Sequence, residues 1–254
     1  MRKLSSPVLL ISGCLLSTSV LAGWSDVLNE AKKTGGAVLQ QSSGSSTSSK
    51  NGQLDNSTLI NGLKESLSVG AERAIKTVSA KGGYLNDAKI RVPMPGALQS
   101  LASPLRKFGM GKQVDQFEES INRAAERAAP QAASIIGDSI KSMSFEDARK
   151  IYSGADDAAT QYFKQKTGAR IAELFRPEID SALGEVGATR YYNDLAKQAS
   201  SLPLVGKDVN TDLTSHVTNA ALDGLFLKLA AEEKAIRNNP VARSTDLLKT
   251  LWGK

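Results

Sequence analysis

One cysteine and one histidine in 254 residues leave little for thiol or imidazole chemistry. A single Cys cannot form a disulfide framework, and one Cys with one His cannot complete a zinc site. Glycine (21) and proline (8) are too sparse for a collagen-like chain. No apolar run reaches the roughly 18 residues that a membrane-spanning helix needs. No internal repeat with a period of about 20–50 residues is present, which excludes solenoids and propellers. What remains is ordinary for a globular protein: 41% hydrophobic and 23% charged residues. The length suits one or two domains, and a single helical domain falls within range.

The N-terminus reads as an export signal. Arg2 and Lys3 precede an apolar stretch from Pro7 to Leu16 that continues weakly to Leu21. Val20-Leu21-Ala22 supplies short side chains for cleavage between Ala22 and Gly23. Ile11-Ser12-Gly13-Cys14 competes with it, because it resembles a lipobox in which Cys14 is acylated. The first cut removes the only cysteine; the second leaves a lipid tether. The expected location is therefore the periplasm, with a membrane-anchored lipoprotein as the alternative. Loss of Arg2 and Lys3 lowers the net charge from +6 to +4. Acids and bases alternate, as in Glu118-Glu119, Arg123 and Glu126-Arg127, so no nucleic-acid face is expected.

Residues 23–39 form a short segment with Trp24, Val27, Leu28 and Ala31 on one helical face. Residues 40–53, including QQSSGSSTSSKNGQ, hold no apolar side chain to offset ordering entropy and read as a flexible linker. Residues 54–254 read as one all-α domain, a helical bundle of about seven to eight helices. Leu59, Leu63, Leu67, Ala71, Ala74 and Val78 recur at helical pitch until Gly82-Gly83. Ala88, Ile90 and Val92 then alternate with Lys89 and Arg91. Pro93 and Pro95 confine that short extended or β segment, near 88–93, to a sheet edge or a lone connector. The next helix is expected to bury Leu98, Leu101, Leu105 and Phe108. Val114–Met143 is a long amphipathic stretch interrupted at Pro130, which cannot donate to the helical ladder. Ser144 and Asp147 have capping-box spacing. Leu202–Gly206 is an apolar connector. Ala220–Ala231 is apolar on all sides and is expected to be the central buried helix, and a final helix capped by Ser244 carries Leu247, Leu248, Leu251 and Trp252.

The motifs that carry chemistry fail one by one. Gly111-Lys112 has Arg106 where a phosphate loop needs its first glycine. Gly109-Met110-Gly111 lacks both the third glycine and the preceding strand of a dinucleotide loop. No Ser stands three residues before a Lys, and no GxSxG occurs. His216 lies on a helical stretch, as an ordinary half-exposed side chain would. Asp208, Asn210 and Asp212 mimic the start of a calcium loop, but Leu213 replaces the turn glycine and Asn219 the bidentate acid. Glu233 and Arg237, at i and i+4, read as a surface pair. Asp223, a charge within an apolar run, needs a partner if buried, and Arg243 or Arg237 can supply it. No cofactor and no metal are expected.

Four stretches carry a family resemblance: Gly62–Ile75 (GLKESLSVGAERAI), Asn122–Pro130 (NRAAERAAP), Asp157–Thr167 (DAATQYFKQKT) and Ala221–Gly253. Together they resemble a bacterial exported family, domain of unknown function 4197, over residues 54–253. The resemblance implies a helical Gram-negative envelope protein and brings no activity, cofactor or catalytic residue. The candidate buried polar or ligand-contacting residues are Asn122, Glu126, Asp157, Gln161, Asp223 and Arg243. The expected function is a non-enzymatic periplasmic or cell-envelope binding or scaffolding module. Its partner is a hydrophobic small molecule such as a lipid acyl chain, or an envelope protein, with membrane contact only peripheral or through Cys14. Two alternatives stay open: a carboxylate-based hydrolase of envelope glycan, and a purely structural envelope protein.

Overall fold

The computed structural model describes residues 55–199 and 212–253. The signal and lipobox readings, the 23–39 segment, the 40–53 linker and the Leu202–Gly206 connector lie outside these residues. Among the described residues every regular element is helical, and no strand occurs. No described helix is long and apolar enough to cross a membrane.

Helix α1 (Asn56–Ser79) starts at Asp55, whose carboxylate accepts from the Ser57 and Thr58 amides. These bonds, with those from the two hydroxyls, hold the Asp55 carboxyl at a pKa of about 2. Helix α2 (Gly96–Leu105) is followed by a five-residue turn, Arg106–Met110, and by α3 (Gly111–Ala128). The break at Pro130 is a single tight turn, Ala129–Gln131, before α4 (Ala132–Lys141). Ser144 and Asp147 form the expected capping box for α5 (Phe145–Ser153). Then come the long α6 (Ala158–Glu185), which runs on through Pro177, and α7 (Ala188–Ala199). Helix α8 (Leu213–Asn238) is capped by Asp212, and Thr245, one residue after the expected Ser244, caps α9 (Asp246–Trp252).

Helix α8 packs against α1, α6 and α3. It is not buried all round: Val217, Ala221, Leu225 and Leu229 line the core, whereas Asn219, Asp223, Leu227 and Ala231 form an exposed stripe. The α1–α2 connection crosses α8 at Gly224. A Cβ there would stand 2.7 Å from a Tyr84 ring carbon, so only glycine admits this crossing.

The expected β piece forms no ladder. Ala88–Ile90 is a turn with Ala88 exposed, and residues 91–95 are an extended connector. The alternation holds from Ile90 through Val92 to Met94, all buried. Phe108, expected in the core, is 70% exposed. Its backbone and that of Gly109 (φ 82°) leave helical geometry, so the helical period that aimed Phe108 inward ends before it.

Candidate functional site

Three carboxylates are buried among the described residues, Glu65, Glu126 and Glu233, and the last two organise the contacts between elements. Glu126 on α3 is 4% exposed and accepts from the amides of Tyr84 (3.2 Å) and Leu85 (3.4 Å) and from Arg123 (2.5 Å). Beside it Asn122, fully buried, pairs with the extended connector. Its Oδ1 accepts from Val92 N at 2.8 Å, and its Nδ2 donates to Val92 O at 3.1 Å. One amide side chain thus supplies both bonds that a neighbouring strand would have made. The Tyr84 hydroxyl donates to Ala221 O at 2.7 Å, and burial, with the Glu126 charge nearby, pushes its pKa far above the usual phenol range. Lys228 pairs with Asp87 at the rim of the same loop.

The second carboxylate, Glu233 on α8, was expected at the surface with Arg237. The structure corrects this: both side chains are 6% exposed. Glu233 accepts from the amides of Ala159 and Thr160 and from the Thr160 hydroxyl, each at 2.9 Å. It thereby caps the N-terminus of α6 from another helix, a position that favours negative charge. Asp157, at the cap position itself, makes no capping bond. Arg237 donates to Glu233 at 2.9 Å and to the carbonyls of Ile151 (2.8 Å) and Tyr152 (3.3 Å) at the end of α5. The cation faces the α5 C-terminus and the anion faces the α6 N-terminus, so the pair fits the two opposed helix ends at the Gly154–Asp157 turn.

Trp252 closes this cluster. The Arg237 guanidinium lies 4.5 Å from its ring centroid, and its indole N–H donates to Ser66 Oγ at 3.0 Å. Leu251 reaches Gly62 on α1, within 3.4 Å of where a Cβ would stand. Two small cavities flank the pair. One of about 20 Å³ lies among Ser66, Gly70, Thr160 and Glu233. The other, of about 10 Å³, lies among Leu63, Ser66, Arg237 and Trp252. Both are on the scale of a single water.

The other candidate residues are placed differently. Asp223 is exposed and sits 3.5 Å from Lys164, not from Arg243 or Arg237. Gln161 is exposed, and its amide donates to the half-exposed Asp157 at 3.1 Å, a surface i, i+4 contact. Arg243 donates to the carbonyls of Ile236 (3.1 Å) and Arg237 (2.8 Å), closing the end of α8. His216 is half-exposed, its Nε2 2.8 Å from Pro93 O. Asp212 serves α8 as its N-cap. Asn122 and Glu126 are buried, Asp157 and Arg243 half-buried, and Gln161 and Asp223 exposed. Among the described residues no cluster of His, Cys, Asp and Glu could hold a metal ion. A signal for Glu233 does exist in the sequence: it continues the buried row Val217, Ala221, Leu225 and Leu229 at steps of four.

Chemically, Glu233 meets five donors, whereas a carboxylate offers about four lone-pair sites. Such a group holds helices together and has no acceptor left for a substrate proton. Comparison with known proteins gives one finding: residues 53–253 match the family model described as protein of unknown function DUF4197. No curated protein and no solved structure matches the chain.

Proposed function

Because the chain belongs to the DUF4197 family, whose description states no activity, we propose that it is a non-enzymatic binding or scaffolding module of the cell envelope. One observation carries this reading. Two of the three buried carboxylates among the described residues, Glu126 and Glu233, are engaged by the chain's own amides and arginines. An acid pair for glycan cleavage needs one carboxyl to release a proton and the other to take one, across room for a sugar. These two instead tie the α1–α2 connection and the α5–α6 turn to the bundle. The two cavities beside Glu233 are water-sized and do not hold an acyl chain. Placement in the envelope rests on the N-terminal signal.

The test is native mass spectrometry of protein purified from the periplasm, with lipid extraction and an intact mass of the mature N-terminus. The expected result is a discrete complex with an envelope component and no release of fragments from envelope glycan. Glycan turnover that is lost in a Glu→Gln variant of unchanged melting temperature would overturn the proposal. The same mass distinguishes cleavage at Ala22 from acylation at Cys14.

A further inference from the structure

The corner between α2 and α3 displays a combination that the binding-module reading leaves unused. Arg106, Lys107, Phe108 and Gly109 are four consecutive exposed residues. Phe108 stands 70% exposed at their centre because Gly109 takes a positive φ of 82°, which turns the chain outward. A Cβ added at Gly109 would meet nothing within 4 Å, so among the described residues no neighbour covers this point of the turn.

The charges around the ring divide into two kinds. Arg106 pairs with Asp115 at 2.5 Å and with Glu118 at 3.7 Å, a trio with one net negative charge. Those contacts also occupy the two acids nearest to the turn. Lys107 and Lys112 are exposed and make no ion pair with the described residues. Helix α2 itself, GALQSLASPL, carries no charge at all. The corner thus carries an exposed aromatic ring and two exposed lysines with no ion-pair partner among the described residues, next to a helix without charge. With Lys107 and Lys112 set against the net negative charge of the Arg106 trio, the corner keeps one net positive charge, which favours a negative headgroup layer.

We propose that this corner is a docking tip for an anionic lipid surface, with Phe108 entering the interface and Lys107 and Lys112 resting among the headgroups. The inference deepens the binding-module reading by naming one face and the class of surface it fits. A lysine near an anionic bilayer is worth about fivefold in partitioning before the neighbouring acids oppose it, so the pair, less the trio's one negative charge, contributes on the order of tenfold. Such binding is reversible and salt-sensitive, and firm attachment requires a second anchor.

Hydrogen exchange of the full chain, with and without vesicles of mixed phosphatidylcholine and phosphatidylglycerol, reads the tip separately from any other membrane-seeking segment. The expected result is slowed exchange at the amides of residues 106–112 on the mixed vesicles, reduced by salt and by pure phosphatidylcholine. Phe108→Ser abolishes this protection without changing the melting temperature, and K107Q/K112Q weakens it on the order of tenfold. Turn amides that exchange equally with and without vesicles overturn the proposal, whether or not the chain binds through another segment. Protection that appears without vesicles and rises with protein concentration also overturns it, and assigns the tip to a second copy. If the turn stays unprotected while an envelope partner still co-purifies, this inference fails alone. Glycan turnover would remove the module reading and leave the vesicle result standing.

Discussion

Glu126 and Glu233 solve the same problem with different neighbours. Each is a buried carboxylate satisfied by two backbone amides and one arginine of its own helix. Glu126 holds an irregular connection, and its partner Arg123 keeps 21% of its side chain in solvent. Glu233 holds a helix N-terminus, and its partner Arg237 keeps only 6% and is roofed by Trp252. The difference teaches that the cost of losing an acid is set by what its removal strands. Water can reach Arg123. It reaches Arg237 far less.

The comparison breaks most sharply at Glu233. Glu233→Ala leaves a buried guanidinium without its anion and the first turn of α6 without a cap, so an unfolding free energy lowered by about 3–5 kcal/mol is expected in denaturant titration. Adding Arg237→Leu to the change recovers part of this loss. Recovery is incomplete because the Ile151 and Tyr152 carbonyls then lose their donor. A double variant weaker than Glu233→Ala alone would contradict the pairing. Glu126→Ala is expected to cost less, about 1–3 kcal/mol, because it bares the Tyr84 and Leu85 amides while Arg123 hydrates. Equal losses at the two positions would erase the distinction between them.

Two exposed acids sharpen the scale at its lower end. Asp55 caps α1 in its ionised form, with a pKa lowered from 3.8 to about 2 by hydrogen bonds from Ser57 and Thr58. A depressed folded-state value means that its contribution is complete above the unfolded value. It fades as pH falls from 3.8 to about 2. The melting-temperature gap between the parent and Asp55→Asn should therefore narrow over that interval. A gap that stays constant contradicts the assignment. Asp223→Asn, on the exposed stripe of α8, should change stability by no more than about 0.5 kcal/mol by the same titration.

How far the sequence anticipates this picture depends on which signal speaks. Helix ends written in local chemistry are legible, as at Pro130, the Ser144–Asp147 box and Gly154, because a missing donor or a side-chain cap acts within a few residues. The Glu233–Arg237 pair is misread because i, i+4 spacing is the same on a wet face and a dry one; only the row from Val217 to Leu229 distinguishes them. Asp223 is misread for the opposite reason: Leu227 and Ala231 make a solvent stripe look like core. Phe108 fails because one glycine ends the period on which the expectation rested. For Glu233 and Asp223 the missing information is which helix lies opposite, and that is a property of the packed whole.

The grip of Asn122 on Val92 also fixes the phase of the chain that passes beneath it. A shift of the connector by a single residue would carry Ile90, Val92 and Met94 into water and bring Arg91 and Pro93 inward. A sheet prevents such slippage through many rungs; here one carboxamide sets the alignment of the whole segment, with His216 touching the next carbonyl along, that of Pro93.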